Sequence, residues 1–525
     1  MKKIFAATII MFCVVGILAG ASYAWQGRME GMGNPQGLIS DESDLLLHPA
    51  QITFGEGVKY YFDYKFTYTG LIHMDSNIDL GIGPINVPIL GGNLTSGHTT
   101  EHDTLIGASL PFAKGRMGVF FEYDKQNGDF DSDISLLGVN TGVKSNADTR
   151  LDNYALKLIY GQPVGGMNLG AELGVAYRNE KQDDTLNLSI MSLEGIGATL
   201  PYMVPFNSSY WELSGKLGLN KKLNKTDIDW TVYGAGILSA DSDNQYLLKA
   251  GEAVPTAGLG YRDAMNGDVS GYRFGSDLWI RHQLNEELSL PFLVSVGYNK
   301  KDRDGDGLIL PYAYGGPDLP DPLNVNLNYK DIAKTLNVKV GGGLVHGVKD
   351  CGQFGVGLYY NYIQSRERLD VLGEYVGENR VFLDNYGHGN LNKFPYHQEH
   401  RLVLNVAGEQ VVCDDLTVRG GLDFFYGWVV SDDYGGSADY NLSGYSIGGG
   451  SGKASLPLDG HTWGIGGSLG ATKKLCGLTF EPFIKGGYQL FDTNGSTGFG
   501  PYSVGLDKKK ADWFASAGLS ALFGK

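Results

Sequence analysis

The sequence predicts an all-β fold: a transmembrane antiparallel β-barrel of about sixteen strands, with fourteen as the alternative count, preceded by a short N-terminal plug segment. Three observations predict it. Apolar and polar residues alternate in repeated runs, short and long connections succeed one another strictly, and the composition is rich in glycine and aromatics without a long apolar helix. A strand directs successive side chains to opposite sides, so repeated alternation gives a wall with one side suited to lipid and the other to water.

The opening residues come first. Lys2 and Lys3 precede an apolar run from Ile4 to Gly20, and Ser22-Tyr23-Ala24 ends in a small residue. This pattern is that of a secretory signal peptide, assigned to residues 1–24. Cys13 lies inside the apolar run and Ala21 stands where a lipoprotein carries cysteine, so no lipid anchor is expected. After Trp25 no apolar stretch reaches the ~18 residues of a spanning helix. Such a helix would be retained in the inner membrane during export. The expected location is therefore the bacterial outer membrane, with its lipid as a partner.

Composition agrees. The chain has 78 Gly in 525 residues, with 31 Tyr and 23 Phe, and that glycine share is roughly twice the usual ~7%. Removing Lys2 and Lys3 leaves 40 basic against 58 acidic residues, a charge of −18. Nucleic acid binding needs a positive footprint, so no nucleic-acid partner is expected. Acidic surfaces favour cations instead.

The wall, expected over residues 58–525, begins with Val58 to Thr69. There Val58, Tyr60, Phe62, Tyr64, Phe66 and Tyr68 share one face, and Lys59, Tyr61, Asp63, Lys65, Thr67 and Thr69 the other. The pattern recurs in Leu290 to Tyr298, Phe354 to Tyr362, Leu416 to Val430 and Trp513 to Phe523. Each run can cross a bilayer at a tilt, which takes ~9–11 residues. Seven short connections (near 114, 161–166, 220–225, 285–287, 347–352, 412–414 and 473–477) alternate with eight long ones, about 70–100, 128–149, 180–207, 241–268, 303–332, 369–397, 431–459 and 493–509. Short periplasmic turns and long outer loops are the barrel habit, and this count gives about sixteen strands.

Residues 25–57 do not alternate. They contain Gly33-Asn34-Pro35, then Asp41-Glu42-Ser43-Asp44-Leu45-Leu46-Leu47-His48-Pro49-Ala50. This stretch resembles the start of the long-chain fatty-acid transporter family of outer-membrane barrels and its secretion-associated relatives. The family carries an Asp-Asp/Glu-x-Ser-like stretch and then Asn-Pro-Ala-Gly in a hatch that fills the lumen. Asp41-Glu42-Ser43 and Pro49-Ala50 match, whereas His48 replaces the Asn and Gln51 the Gly. The resemblance implies a hatch, with Asp41, Glu42, Asp44, Leu45, Leu46, Leu47, His48, Pro49 and Ala50 as plug or gating residues. Leucines 45 to 47 would be costly to leave in water and call for a dry site.

Other constellations combine residue types that can carry chemistry. Asp302, Asp304 and Asp306 with Gly307 have the spacing of the start of a calcium loop, but Ala313 stands where the bidentate Glu belongs. They make an incomplete site for a structural Ca²⁺, or a solvated acidic turn. His397 and His400, three apart, fall on opposite faces of a strand, which disfavours a metal site there. Cys351, Cys413 and Cys476 each fall in a short turn, spaced by 62 and 63 residues, without a Cys-x-x-Cys motif. No arrangement of Ser, His and Asp assembles a catalytic site, so an enzyme is not expected. The leading reading is a channel passing small solutes, its lumen restricted by the N-terminal segment. The alternative is a facilitator of hydrophobic-compound uptake, and a third is a scaffold for a periplasmic or surface partner.

Overall fold

A computed structural model describes residues 26–32, 38–39, 42–82, 85–136, 139–191, 197–248, 259–313, 324–348, 351–376, 383–384, 396–432, 441–442, 458–475, 478–499 and 502–524. The signal-peptide assignment, Trp25, Asp41 and Cys476 lie outside these residues. Sixteen strands close into one antiparallel barrel. They are β1 Lys59–Ile82, β2 Ile85–Phe112, β3 Gly115–Leu136, β4 Val139–Val164, β5 Met167–Met191, β6 Gly197–Leu223, β7 Thr226–Leu248 and β8 Leu259–Gln283. The second half comprises β9 Leu288–Ala313, β10 Asn324–Val348, β11 Gly352–Val376, β12 Tyr396–Cys413, β13 Leu416–Asp432, β14 Leu458–Leu475, β15 Leu478–Phe499 and β16 Tyr502–Gly524. Each strand pairs with its sequence neighbours, and β1 closes the ring on β16 from Lys59↔Gly524 to Ile82↔Tyr502.

The alternation read in the sequence is the inside–outside alternation of the wall. Tyr60 is 55% exposed and Tyr61 only 2%. Outward positions carry Phe121, Leu156, Leu217, Phe292, Leu358, Leu422 and Leu469, all exposed. Aromatics stack at one level on this outer face: Tyr123 on Tyr154, Tyr177 with Trp211, and Tyr272 with Phe274 and Tyr298. The ring continues through His400 on Trp428, Tyr426 on His461, Trp463 with Tyr488, and Tyr68 with Trp513. An apolar band edged by an aromatic girdle is the outer surface of a membrane barrel. No helix of the described residues is long and apolar enough to cross a membrane.

The short turns fall where expected. Gly165 (φ 57°) and Gly166 (φ 80°) form one of them, and two successive left-handed residues give the primed turn whose twist matches a hairpin. Cys351 and Cys413 are exposed, without a disulfide, at two others.

The long connections are corrected. Most of those stretches are continued strand, giving strands of 22–28 residues in β1 to β11, against the ~9–11 a bilayer needs. The expected loop at 303 is part of β9, where Asp302 faces Ser270 and Ile332, Asp304 faces Asp268 and Lys330, and Asp306 faces Asn266 and Asn328. Lys300 engages the Asp302 carboxylate. The side chains of Asp304 and Asp306 lie outside the described residues. A ladder-paired strand stands where a loop was expected, because backbone pairing continues after the apolar alternation has ended.

Candidate functional site

Helix α1 (Gln26–Gly31) and the 3₁₀ segments Glu42–Leu46 and Pro49–Phe54 precede the wall. Helix α1 contacts β13, β14, β15 and β16, and the second 3₁₀ segment contacts β3, β4, β5 and β6. A segment that touches opposite arcs of a closed ring lies inside it. Every wall residue it meets lies within about a dozen residues of a short turn, so it occupies that end of the lumen.

Two apolar clusters line the contact. One joins Leu45, Leu46 and Ile52 to Tyr61, Leu105, Phe120, Ile159 and Leu522. The other joins Met29, Met32, Leu38 and Ile39 to Trp279, Leu293, Val345, Tyr359 and Ala407, with Val403 alongside. Inward-facing glycines let the segment approach the wall. A methyl placed on Gly170 would lie 2.2 Å from the carbonyl carbon of Pro49, and one on Gly161 2.6 Å from Ile52. One on Gly343 would lie 2.6 Å from Leu38. Any side chain at these positions would collide with the segment.

Polar contacts fix its register. Arg28 donates through Nε to Glu409 at 2.9 Å and through Nη2 at 2.5 Å. Gln353 donates to the same carboxylate, and Arg419 bridges it to Glu481. Glu30 lies 3.8 Å from Lys485. Gln51 donates to Asp229 at 2.9 Å, and Arg116 donates to the Gly57 carbonyl at 2.7 Å where the chain enters β1. A buried charge network of this kind is costly to break from one side, because the remaining charge stays desolvated.

Of the residues singled out by sequence, Asp44, Leu45, Leu46, His48, Pro49 and Ala50 are buried in this contact. Leu47 is not: it is 37% exposed, because a tight 3₁₀ turn cannot present three successive side chains to the same wall. The side chain of Glu42 lies outside the described residues. His48 is 1% exposed, its Nδ1 is 2.8 Å from Thr231 Oγ1, and its ring meets the edge of Trp279 at 4.3 Å between centroids. Its Nε2 has no hydrogen-bond partner. The Lys216 ammonium beside it donates to the Leu46 carbonyl and lies 3.3 Å from Glu172. Burial first, and then the charge of Lys216, lower the His48 pKa from 6.5 to about 3. The imidazole is therefore neutral.

Further along the lumen the wall is ion-paired: Lys65 with Asp103 at 2.6 Å, Lys157 with Glu122 at 2.6 Å, and Arg401 with Glu399 at 2.5 Å. Glu101, Asp103 and Asp124 gather their carboxylates within 4.8 Å of one another, with the Lys65 ammonium on Asp103. Sequence reasoning missed this group, although the short turn at Ala113-Lys114 makes Asp103 and Asp124 equidistant from it and hence direct neighbours.

These features define a class: a closed sixteen-strand antiparallel β-barrel of the outer-membrane type, with its own N-terminal segment packed against the wall. No protein-family signature and no curated protein matches the chain by sequence. In shape it is similar to a Pseudomonas aeruginosa FadL homologue, at 10% identity and a TM-score of 0.38, over 96% of this chain and 99% of that one. It is also similar to the deltaS2S3 mutant of the TodX monoaromatic hydrocarbon channel, at 12% identity and a TM-score of 0.42, over 97% of this chain and 100% of that one. A third such structure is the Ralstonia pickettii toluene transporter TbuX, at 9% identity and a TM-score of 0.37, over 95% and 98% of the two chains.

Proposed function

We propose that the chain is an outer-membrane channel for small hydrophobic compounds, gated by residues 25–57 acting as a plug, with the short turns facing the periplasm. The observation that carries this is the chemistry of the seat. The plug residues Met29, Met32, Leu38 and Ile39 cover an inner-wall patch made of Trp279, Leu293, Val345, Tyr359 and Ala407. Moving the plug away bares that patch to water, at about 25 cal/mol per Å² of apolar area. An apolar solute arriving from the lumen covers the patch in its place, and so favours the open form, whereas a sugar or an ion does not. The channel thereby opens preferentially to cargo that is itself apolar.

The ion-paired wall beyond the plug favours a second reading, a porin for polar solutes. One experiment separates the two. In intact bacterial cells making the protein, entry of the hydrophobic fluorophore N-phenylnaphthylamine is expected to rise severalfold over cells without it. Permeation of a polar cephalosporin, followed by its hydrolysis in the periplasm, is expected to stay unchanged. The reverse pattern would establish the porin and dismiss the hydrophobic channel.

A further inference from the structure

The outer face of the barrel carries a groove of about 960 Å³ that the channel reading does not use. Its floor is two adjacent rows of paired outward residues. One row runs Phe354–Gly408–Gly420–Leu469–Ile484–Ala517–Phe66, and the other Val406–Leu422–Gly467–Gly486–Ala515–Tyr68. The small residues in the middle make the depression, and Phe354 at one end and Phe66 and Tyr68 at the other close it. It crosses six strand intervals from β11 to β1, a length of roughly 30 Å at ~4.8 Å per interval. Because barrel strands are tilted, a line perpendicular to them climbs obliquely through the membrane. The groove therefore rises from near the short turn at Cys351 to the aromatic girdle at Tyr68.

At that upper end the surface changes character. His102 lies 5.0 Å from Phe66, its Nδ1 2.9 Å from the Tyr64 hydroxyl, and His98 stacks on Tyr68 at 5.6 Å. Lys125 is the cross-strand partner of His102, on the outward face shared with Phe121 and Tyr123, and directly facing side chains in such a pair are about 5 Å apart. Arg150, half exposed, follows on β4 and is held by Asp152 at 2.7 Å. Asp152 is also the cross-strand partner of Lys125, so at this point on the rim two cations, Lys125 and Arg150, flank one carboxylate beside the imidazoles of His98 and His102, in a chain of net charge −16.

We propose that this groove is a lipid site, holding the acyl chains of one phosphorylated outer-leaflet glycolipid whose phosphate is met by His102 and Lys125. The depth of the groove demands a hydrocarbon body, since it lies wholly within the apolar band. The cationic rim demands an anionic head, at the level where headgroups lie. This rests on the proposed orientation of the barrel but not on its cargo or its plug.

The test is native mass spectrometry of the full-length, detergent-solubilised barrel incubated with lipid A, or with lipid A stripped of its phosphates. Wild type is expected to retain lipid A, and to retain the dephosphorylated form about tenfold more weakly, the factor that ~1.4 kcal/mol represents. Lys125→Gln is expected to abolish that preference. Gly467→Leu fills the groove: a methyl there meets Leu422 at an ordinary 3.6 Å, so the wall accepts it. That variant is expected to lose both lipids to a similar extent. Each variant is first checked for the folded, dodecyl-sulfate-resistant form. Equal retention of the two lipids by wild type, or undiminished retention by Gly467→Leu, would overturn the proposal. Either failure leaves the hydrophobic channel standing.

Discussion

Deleting residues 26–50 behind an intact leader is expected to raise single-channel conductance in planar bilayers by about tenfold, while the barrel still assembles. A barrel of this width encloses an aqueous channel when nothing fills it. In the intact chain the short-turn end is filled by Met29, Met32, Leu38, Ile39, Leu45, Leu46 and Ile52, all buried. Fully burying one such side chain contributes ~1.5–3 kcal/mol, so the set holds the segment in place against thermal release. The wall does not depend on the plug for its ladder, which closes through β1 and β16 alone. Glu409 and Glu481 keep Arg419 between them when Arg28 is gone. Conductance equal to that of the intact chain would mean that the segment restricts nothing.

Acid is expected to open the channel, through His48. Docked, this imidazole is neutral, with a pKa lowered from 6.5 to about 3 by burial and then by Lys216. Released into water it returns toward ~6.5. The released segment therefore binds a proton more readily than the docked one. Docking keeps its full strength above about pH 6.5 and weakens as pH falls, by roughly 1.4 kcal/mol per unit, until the docked value near 3 is reached. Open probability should thus rise about tenfold per pH unit between about pH 6 and pH 4. His48→Asn keeps a hydrogen bond available to Thr231 and removes the titration, so its open probability should be flat over that range. An equally steep rise in His48→Asn would assign the response to other groups.

The barrel was legible in the sequence wherever lipid imposes a rule. Tyr60 to Tyr68, Phe354 to Tyr362 and Leu416 to Val430 alternate because one side meets hydrocarbon and the other the lumen, and the structure keeps each assignment. Beyond the girdle both faces meet water. Asp75-Ser76-Asn77 in β1 and Asp302 to Asp306 in β9 then look like loop although their backbones are fully paired. Carboxylates at every second position, read in the sequence as the start of a calcium loop or a solvated turn, also share one face of a strand. The N-terminal segment stood out in the sequence only as a break in alternation with a short motif. Its seat did not, because Gly161, Gly170 and Gly343 carry no side chain to signal a partner, and Glu409 and Arg419 are ordinary inward polar residues until Arg28 reaches them. Inward glycines near the short turns are the signal that would have located it.

The central claim, that the N-terminal segment must leave its seat for cargo to pass, is tested most directly by locking it there. A methyl on Gly355 would lie 3.2 Å from Leu38 Cγ, which places the two β-carbons within the reach of a disulfide. Leu38→Cys with Gly355→Cys, in a chain with its native cysteines replaced by serine, should form that bond on oxidation. N-phenylnaphthylamine entry into cells is then expected to fall to the level of cells lacking the protein, and to recover on reduction. Entry that continues unchanged with the disulfide closed would contradict the account.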